Sequence, residues 1–112
     1  MKKMMRHTTH DLERLYAQFS TVADAVQTVF GVSREDLSGS THRRAASEAR
    51  FAFCYVSHVM YPGVTYEDIG RFVARHYSTT HYAVESAETF RTVDKVFDER
   101  IKRVLNIVTQ LC

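Results

Sequence analysis

Glycine is scarce in this chain of 112 residues, and none of its four glycines falls in a GxxxxGK[ST] pattern. No loop is therefore on hand to cradle the phosphates of a nucleotide. Cysteine is scarcer. Cys54 and Cys112 show no CxxC or Cys/His spacing, which argues against a disulfide framework or a zinc site and in favour of two reduced thiols. Long apolar runs are missing too. Charge interrupts each of them, as in Phe97-Asp98-Glu99-Arg100-Ile101, so no segment is suited to cross a bilayer. The opening MKKMMRHTTH also lacks the apolar stretch that follows the basic start of a signal peptide. A cytoplasmic, nucleoid-associated location is expected. Paired carboxylates, a catalytic triad and a cofactor loop are likewise absent, which makes an enzyme the weakest functional class. No cofactor, small-molecule substrate or membrane partner is expected. His7 and His10 stand at i and i+3 with no third ligand nearby; they read as a solvated pair on an N-terminus expected to fray over residues 1–8, not as a metal site.

What is present fits one domain, residues 1–112, with enough apolar content for a single core. The formal net charge of +2 is too small to argue for nucleic acid by itself. Its distribution says more. Between Arg34 and Arg75 every base is an arginine (Arg34, Arg43, Arg44, Arg50, Arg71, Arg75), whereas acids outnumber bases from Glu85 to Glu99.

Helical periodicity runs through the whole chain. Leu12, Leu15, Phe19, Val22, Val26 and Val29 form one stripe of a helix from about Thr9 to Phe30, stopped by Gly31. Ser33-Arg34-Glu35-Asp36 is a capping box that opens a helical turn through Leu37, before the loop Ser38–Thr41. Ala45, Ala49, Ala52, Phe53, Val56 and Met60 mark a helix from His42 to Met60, ended by Tyr61-Pro62-Gly63. Thr65 to Asp68 is a second capping box, opening a short helix through Ala74. Ala83, Ala87 and Phe90 require another helix soon after it, and Val93, Phe97, Ile101, Val104, Val108 and Leu111 define the last one. No strand alternation is visible. The expected fold is all-α, a compact bundle of about five helices.

A short helix, a turn of about three residues and a second helix with a small inner face meet the description of a helix-turn-helix. In that unit the N-terminal residues of the second helix touch base edges. Here they are Arg75, His76, Tyr77, Ser78, Thr79 and Thr80. Hydroxyls at a helix start most often cap it; what strengthens the binding reading is that an arginine and two polar aromatics join them. Phe51, one turn before Tyr55, could either stack on bases or rest on a neighbouring helix. Cys54 reads as a small buried filler.

Four segments taken together resemble the C-terminal DNA-binding domain of the bacterial replication initiator DnaA: VFGVSREDLSG (29–39), RRAASEAR (43–50), TYEDIG (65–70) and RHYSTTHYA (75–83). The family typically reads R-D-H-[ST]-T-V-x-x-A in the last of these, and the likeness extends from Val22 to Val108. It implies a helix-turn-helix that binds double-stranded DNA sequence-specifically. By position, Arg44 matches the family's minor-groove arginine, with Arg43 beside it, and Arg50 its base- or phosphate-contacting arginine. His76, Tyr77, Ser78 and Thr79 fall on its base-reading group, and Thr80 stands where valine is usual. Asp has become His76, His has become Tyr77, and Gln has become Phe51. These departures imply that the sequence read has changed. A standalone DNA binder without ATPase activity, related to replication or regulation, is the leading expectation. The alternative is a protein-interaction module that docks on a replication or regulatory partner. Self-association through the long first helix is left open.

Overall fold

Ser33 and Thr65 fix where two helices begin, and the buried faces of the helices set the rest of the architecture. The computed structural model describes residues 9–111. Residues 1–8, the His7–His10 pair and Cys112 lie outside the described residues. Among the described residues there are six helices and no strand: α1 (Thr9–Phe30), α2 (Arg34–Ser38), α3 (Arg44–Met60), α4 (Tyr66–Phe72), α5 (Tyr77–Val93) and α6 (Lys95–Leu111). The fold is all-α, its five longer helices joined by the single turn of α2. No helix among the described residues is long and apolar enough to cross a membrane.

α3 is the hub and packs on α1, α4, α5 and α6. Phe53 is fully buried; its ring stacks on Phe72 with centroids 5.4 Å apart and meets Phe19 edge-on at 6.1 Å. Phe97 plays the same part at the other end, meeting the edges of Phe30 and Phe90 at 6.0 and 5.8 Å. Such ring pairs contribute about 0.5–1.5 kcal/mol beyond the area they bury. The stripe Phe97, Ile101, Val104 and Val108 closes the core from α6.

Ser33 Oγ accepts from Asp36 N while an Asp36 carboxylate oxygen accepts from Ser33 N, both at 3.1 Å, which is the complete capping box. Thr65 Oγ1 accepts from Asp68 N at 3.0 Å.

Four boundaries or faces differ from expectation. Leu12 is 49% exposed, because the core-facing stripe of α1 is fully covered only from Phe19 onward. α3 begins at Arg44 instead of His42, and Ala46, not Ala45, is the first residue it buries. α4 stops at Phe72 because Ala74 takes a positive φ of 57° and Arg75 N donates to Gly70 O at 2.8 Å, closing the turn. Val93 closes α5 and is 74% exposed. A single residue separates the last two helices: Asp94 N donates back to Phe90 O at 2.8 Å, and Asp94 Oδ1 accepts from Phe97 N at 3.1 Å.

Cys54 is 3% exposed, and burial pushes its thiol up from 9.0 to about 12. Below pH 9 the thiol is protonated in both folded and unfolded states, so it adds no pH dependence there. Above pH 9 the unfolded chain ionises first, and stability falls as pH rises toward 12. Iodoacetamide at pH 8 is therefore expected to leave Cys54 unmodified in the native protein and to label it in denaturant, as read by peptide mass mapping.

Candidate nucleic-acid interface

The α4–α5 pair can pack closely because Gly70 has no side chain. A Cβ built there would lie 2.5 Å from Arg75 O and 2.7 Å from Thr80 Oγ1. Thr80 occupies the other half of that contact. It is wholly buried, and its hydroxyl donates to His76 O at 3.4 Å. Thr80 was expected among the DNA-contacting residues; burial removes it, and it serves as the joint between the two helices.

The first turn of α5 is exposed at His76, Tyr77, Ser78 and Thr79. The residue that caps it is His76, not the hydroxyl run. Its Nδ1 accepts from Ser78 N at 3.2 Å and lies 2.8 Å from Ser78 Oγ. The Tyr77 ring lies against the imidazole at 4.4 Å, and Tyr77 is 54% exposed. These side chains form a free tip at the end of a 17-residue helix.

Two arginines assigned to DNA by position turn inward instead. Arg50 is only 9% exposed and donates from Nη1 to Asp36 O at 2.7 Å and from Nη2 to Thr41 O at 2.8 Å. Arg75 is half-buried. Its Nη1 donates to Ser38 O at 3.3 Å and to Val73 O at 3.1 Å, and its Nη2 donates to Gly39 O. Burial first, and the neighbouring Arg75 charge second, lower the pKa of Arg50. Their guanidinium groups are spent on main-chain carbonyls, so both arginines fasten the α2–α3 loop beside the start of α5.

Arg43 and Arg44 remain at the surface. Arg43 Nη2 lies 3.3 Å from Asp36 Oδ2, and Arg44 Nε lies 2.7 Å from Glu48 Oε2 with its side chain 84% exposed. The structure does not bring Arg44 to the tip. Arg44 lines a groove with Phe90, Val93 and Asp94, toward the far end of α5. Phe51 is half-buried between Tyr82 and Phe90, with ring centroids 6.2 and 5.7 Å away. It packs on α5, the neighbouring-helix alternative of the two open to it.

Tyr82 is a further exposed side chain on α5 that the run from Arg75 to Thr80 does not include. It is 64% exposed one turn beyond Ser78, so the i, i+4 spacing along α5 could have found it. His81 packs against Tyr66 at 4.9 Å, and its Nε2 lies 3.3 Å from Glu85 Oε2. Among the described residues no group of three or more His, Cys, Asp or Glu side chains is placed to hold a metal.

A short helix, a tight glycine-dependent contact and a longer helix with a free polar tip define a helix-turn-helix of the DNA-binding class. A family model described as the bacterial dnaA protein helix-turn-helix matches residues 19–86, more than half of the chain, and the chain belongs to that family. Among curated proteins none matches it.

Gly70→Ala forces backbone against Cβ and is expected to cost about 1–3 kcal/mol. Arg50→Ala strips the Asp36 and Thr41 carbonyls of their donors and should cost a similar ~1–3 kcal/mol. The exposed Arg44→Ala should leave stability almost unchanged. Urea denaturation of the three variants ranks them, and an Arg50→Ala midpoint equal to that of the parent would contradict the clamp.

Proposed function

We propose that this protein binds double-stranded DNA sequence-specifically, α5 entering the major groove tip-first, and acts in replication or its regulation without ATPase activity of its own. The observation that carries the reading is the exposed first turn of α5, His76 to Thr79, set on a frame that is buried and hydrogen-bonded behind it. Peptide N–H groups and the positive end of the helix dipole suit that turn to a polyanion. Arg43, Arg44 and Arg71 add surface charge, each resting on its own carboxylates. Exposed pairs of this kind are weak enough to exchange for phosphate.

Arg44 lies toward the far end of α5, away from the tip that enters the groove. The nucleoid is the corresponding cellular location.

Selection of bound sequences from a randomised duplex pool at two salt concentrations tests the proposal. Enriched sites and a steep loss of affinity with salt are expected. Arg43→Ala should reduce the slope of log K against log salt by about 0.9, the value of one phosphate contact. Arg50→Ala should weaken binding while leaving that slope unchanged. Absence of any enriched site, together with retention indifferent to salt, would favour docking on a protein partner instead.

A further inference from the structure

We infer that the groove between α1 and α4 is a dimerisation site whose occupant is a second copy of this chain. Two α1 helices cross antiparallel, each laying Leu12 and Tyr16 into the other's groove, and Glu13 of one copy pairs with Arg34 of the other. The inference does not rest on the duplex-binding reading, because the two copies associate without DNA.

The apolar case comes from α1. Its core-facing stripe is covered from Phe19 onward but continues toward the N-terminus at the surface, where Leu12 is 49% and Tyr16 61% exposed. Beside these two runs a groove of about 320 Å³, lined from the α4 side by Phe72, which Tyr16 meets with ring centroids 5.4 Å apart. That is the volume of a small ligand cleft, so the groove takes up whole side chains. Ridge and groove thus lie side by side on one molecule. A two-fold axis between them seats both ridges in both grooves at once and leaves neither open, the self-complementary condition of an isologous contact. An unrelated partner covering the same area would have to bring a ridge and a groove of its own.

The charges point the same way. At about 100° per residue, Tyr16 and Glu13 lie on the same side of Leu12, about 40° and 100° round the helix, whereas Arg14 lies on the opposite side. The exposed Glu13 therefore flanks the ridge with an acid. Arg34 lines the groove, its guanidinium over the Phe72 ring at 5.4 Å. Among the described residues only its Nη2 is hydrogen-bonded, to Asp24 at 3.1 Å, and its Nε is buried with no partner. Nη1 remains for an acid from outside. Asp24 places Arg34 beside the second half of α1, far from Glu13 of the same copy. An antiparallel crossing brings the first turns of one α1 to that level of the other, which a parallel one does not. No residue of α5 lines the groove, so the dimer carries two free α5 tips.

Sedimentation velocity of the full chain, without DNA and over about a hundredfold range of concentration, reads the association. The parent should shift from monomer to a species of twice its mass, and Leu12→Glu should stay monomeric. Glu13→Arg and Arg34→Glu, each alone, oppose like charges twice across the axis and should weaken dimerisation by about tenfold or more. An equimolar mixture of these two variants should dimerise like the parent, because the mixed dimer sets opposite charges at both contacts. All three substitutions should leave the fold intact, as thermal unfolding checks: Leu12 and Glu13 are exposed, and Arg34 opens α2, where an acid suits the helix dipole. A parent that remains monomeric at the highest concentration would overturn the inference and leave the groove to another partner. Undiminished dimerisation of Leu12→Glu, or a mixture no stronger than either charge variant alone, would overturn it as well.

Discussion

Two guanidinium groups that donate to main-chain carbonyls hold this molecule's interface in place. The segment between α2 and α3 has no regular structure, and its carbonyl oxygens need donors wherever they are covered. Arg50 reaches them from the middle of α3, and Arg75 reaches them from the turn before α5. Burial first, and the like charge of Arg75 second, disfavour the Arg50 cation and lower its pKa, and the carbonyl dipoles offset both. Apolar packing sets α5 against α3, but the loop and the start of α5 are located relative to each other by directional, charge-assisted bonds. Those bonds fix orientation in a way that greasy contacts do not.

Much of this was legible in the sequence where the cause was local. Ser33 and Thr65 cap the helices they were expected to cap, Gly31 and Tyr61-Pro62-Gly63 end two others, and Phe97, Ile101, Val104 and Val108 of the expected last stripe face the core, whereas Val93 and Leu111 at its two ends are exposed. The misreadings came from effects that act between distant residues. An arginine's role depends on which acceptors the fold brings near it, and carbonyls from Asp36 and Thr41 are invisible from position 50. A threonine in a run of hydroxyls looks like its neighbours until the opposite helix arrives. Thr80 is buried because Gly70 on α4 faces it, while Ser78 and Thr79 stay exposed. The helix cap was expected from a hydroxyl and came from an imidazole, since histidine is rarely weighed as a capping acceptor although its unprotonated nitrogen serves the same purpose.

The surface shows a division of labour among the bases. Several arginines that could have been free cations are committed to the interior or lean on a carboxylate of the same chain, as Arg34 does on Asp24 and Arg91 on Asp98. Arg91 also donates to Tyr55 OH at 2.8 Å, so α5, α6 and α3 meet at one polar knot on the side where the acidic residues gather. That side is braced internally, and the opposite end carries the uncommitted polar side chains of the α5 tip.

Asp94 ends one helix and starts the next with no residue to spare. Each residue of an α-helix advances its side chains by about 100°. Lengthening or shortening the chain by one at this hinge would therefore turn Phe97, Ile101, Val104 and Val108 roughly a quarter-circle away from the centre, facing solvent with the surface that now seals the bundle. Variation in length has to be absorbed elsewhere, as in the turn around Gly63, where the register of no buried stripe is at stake.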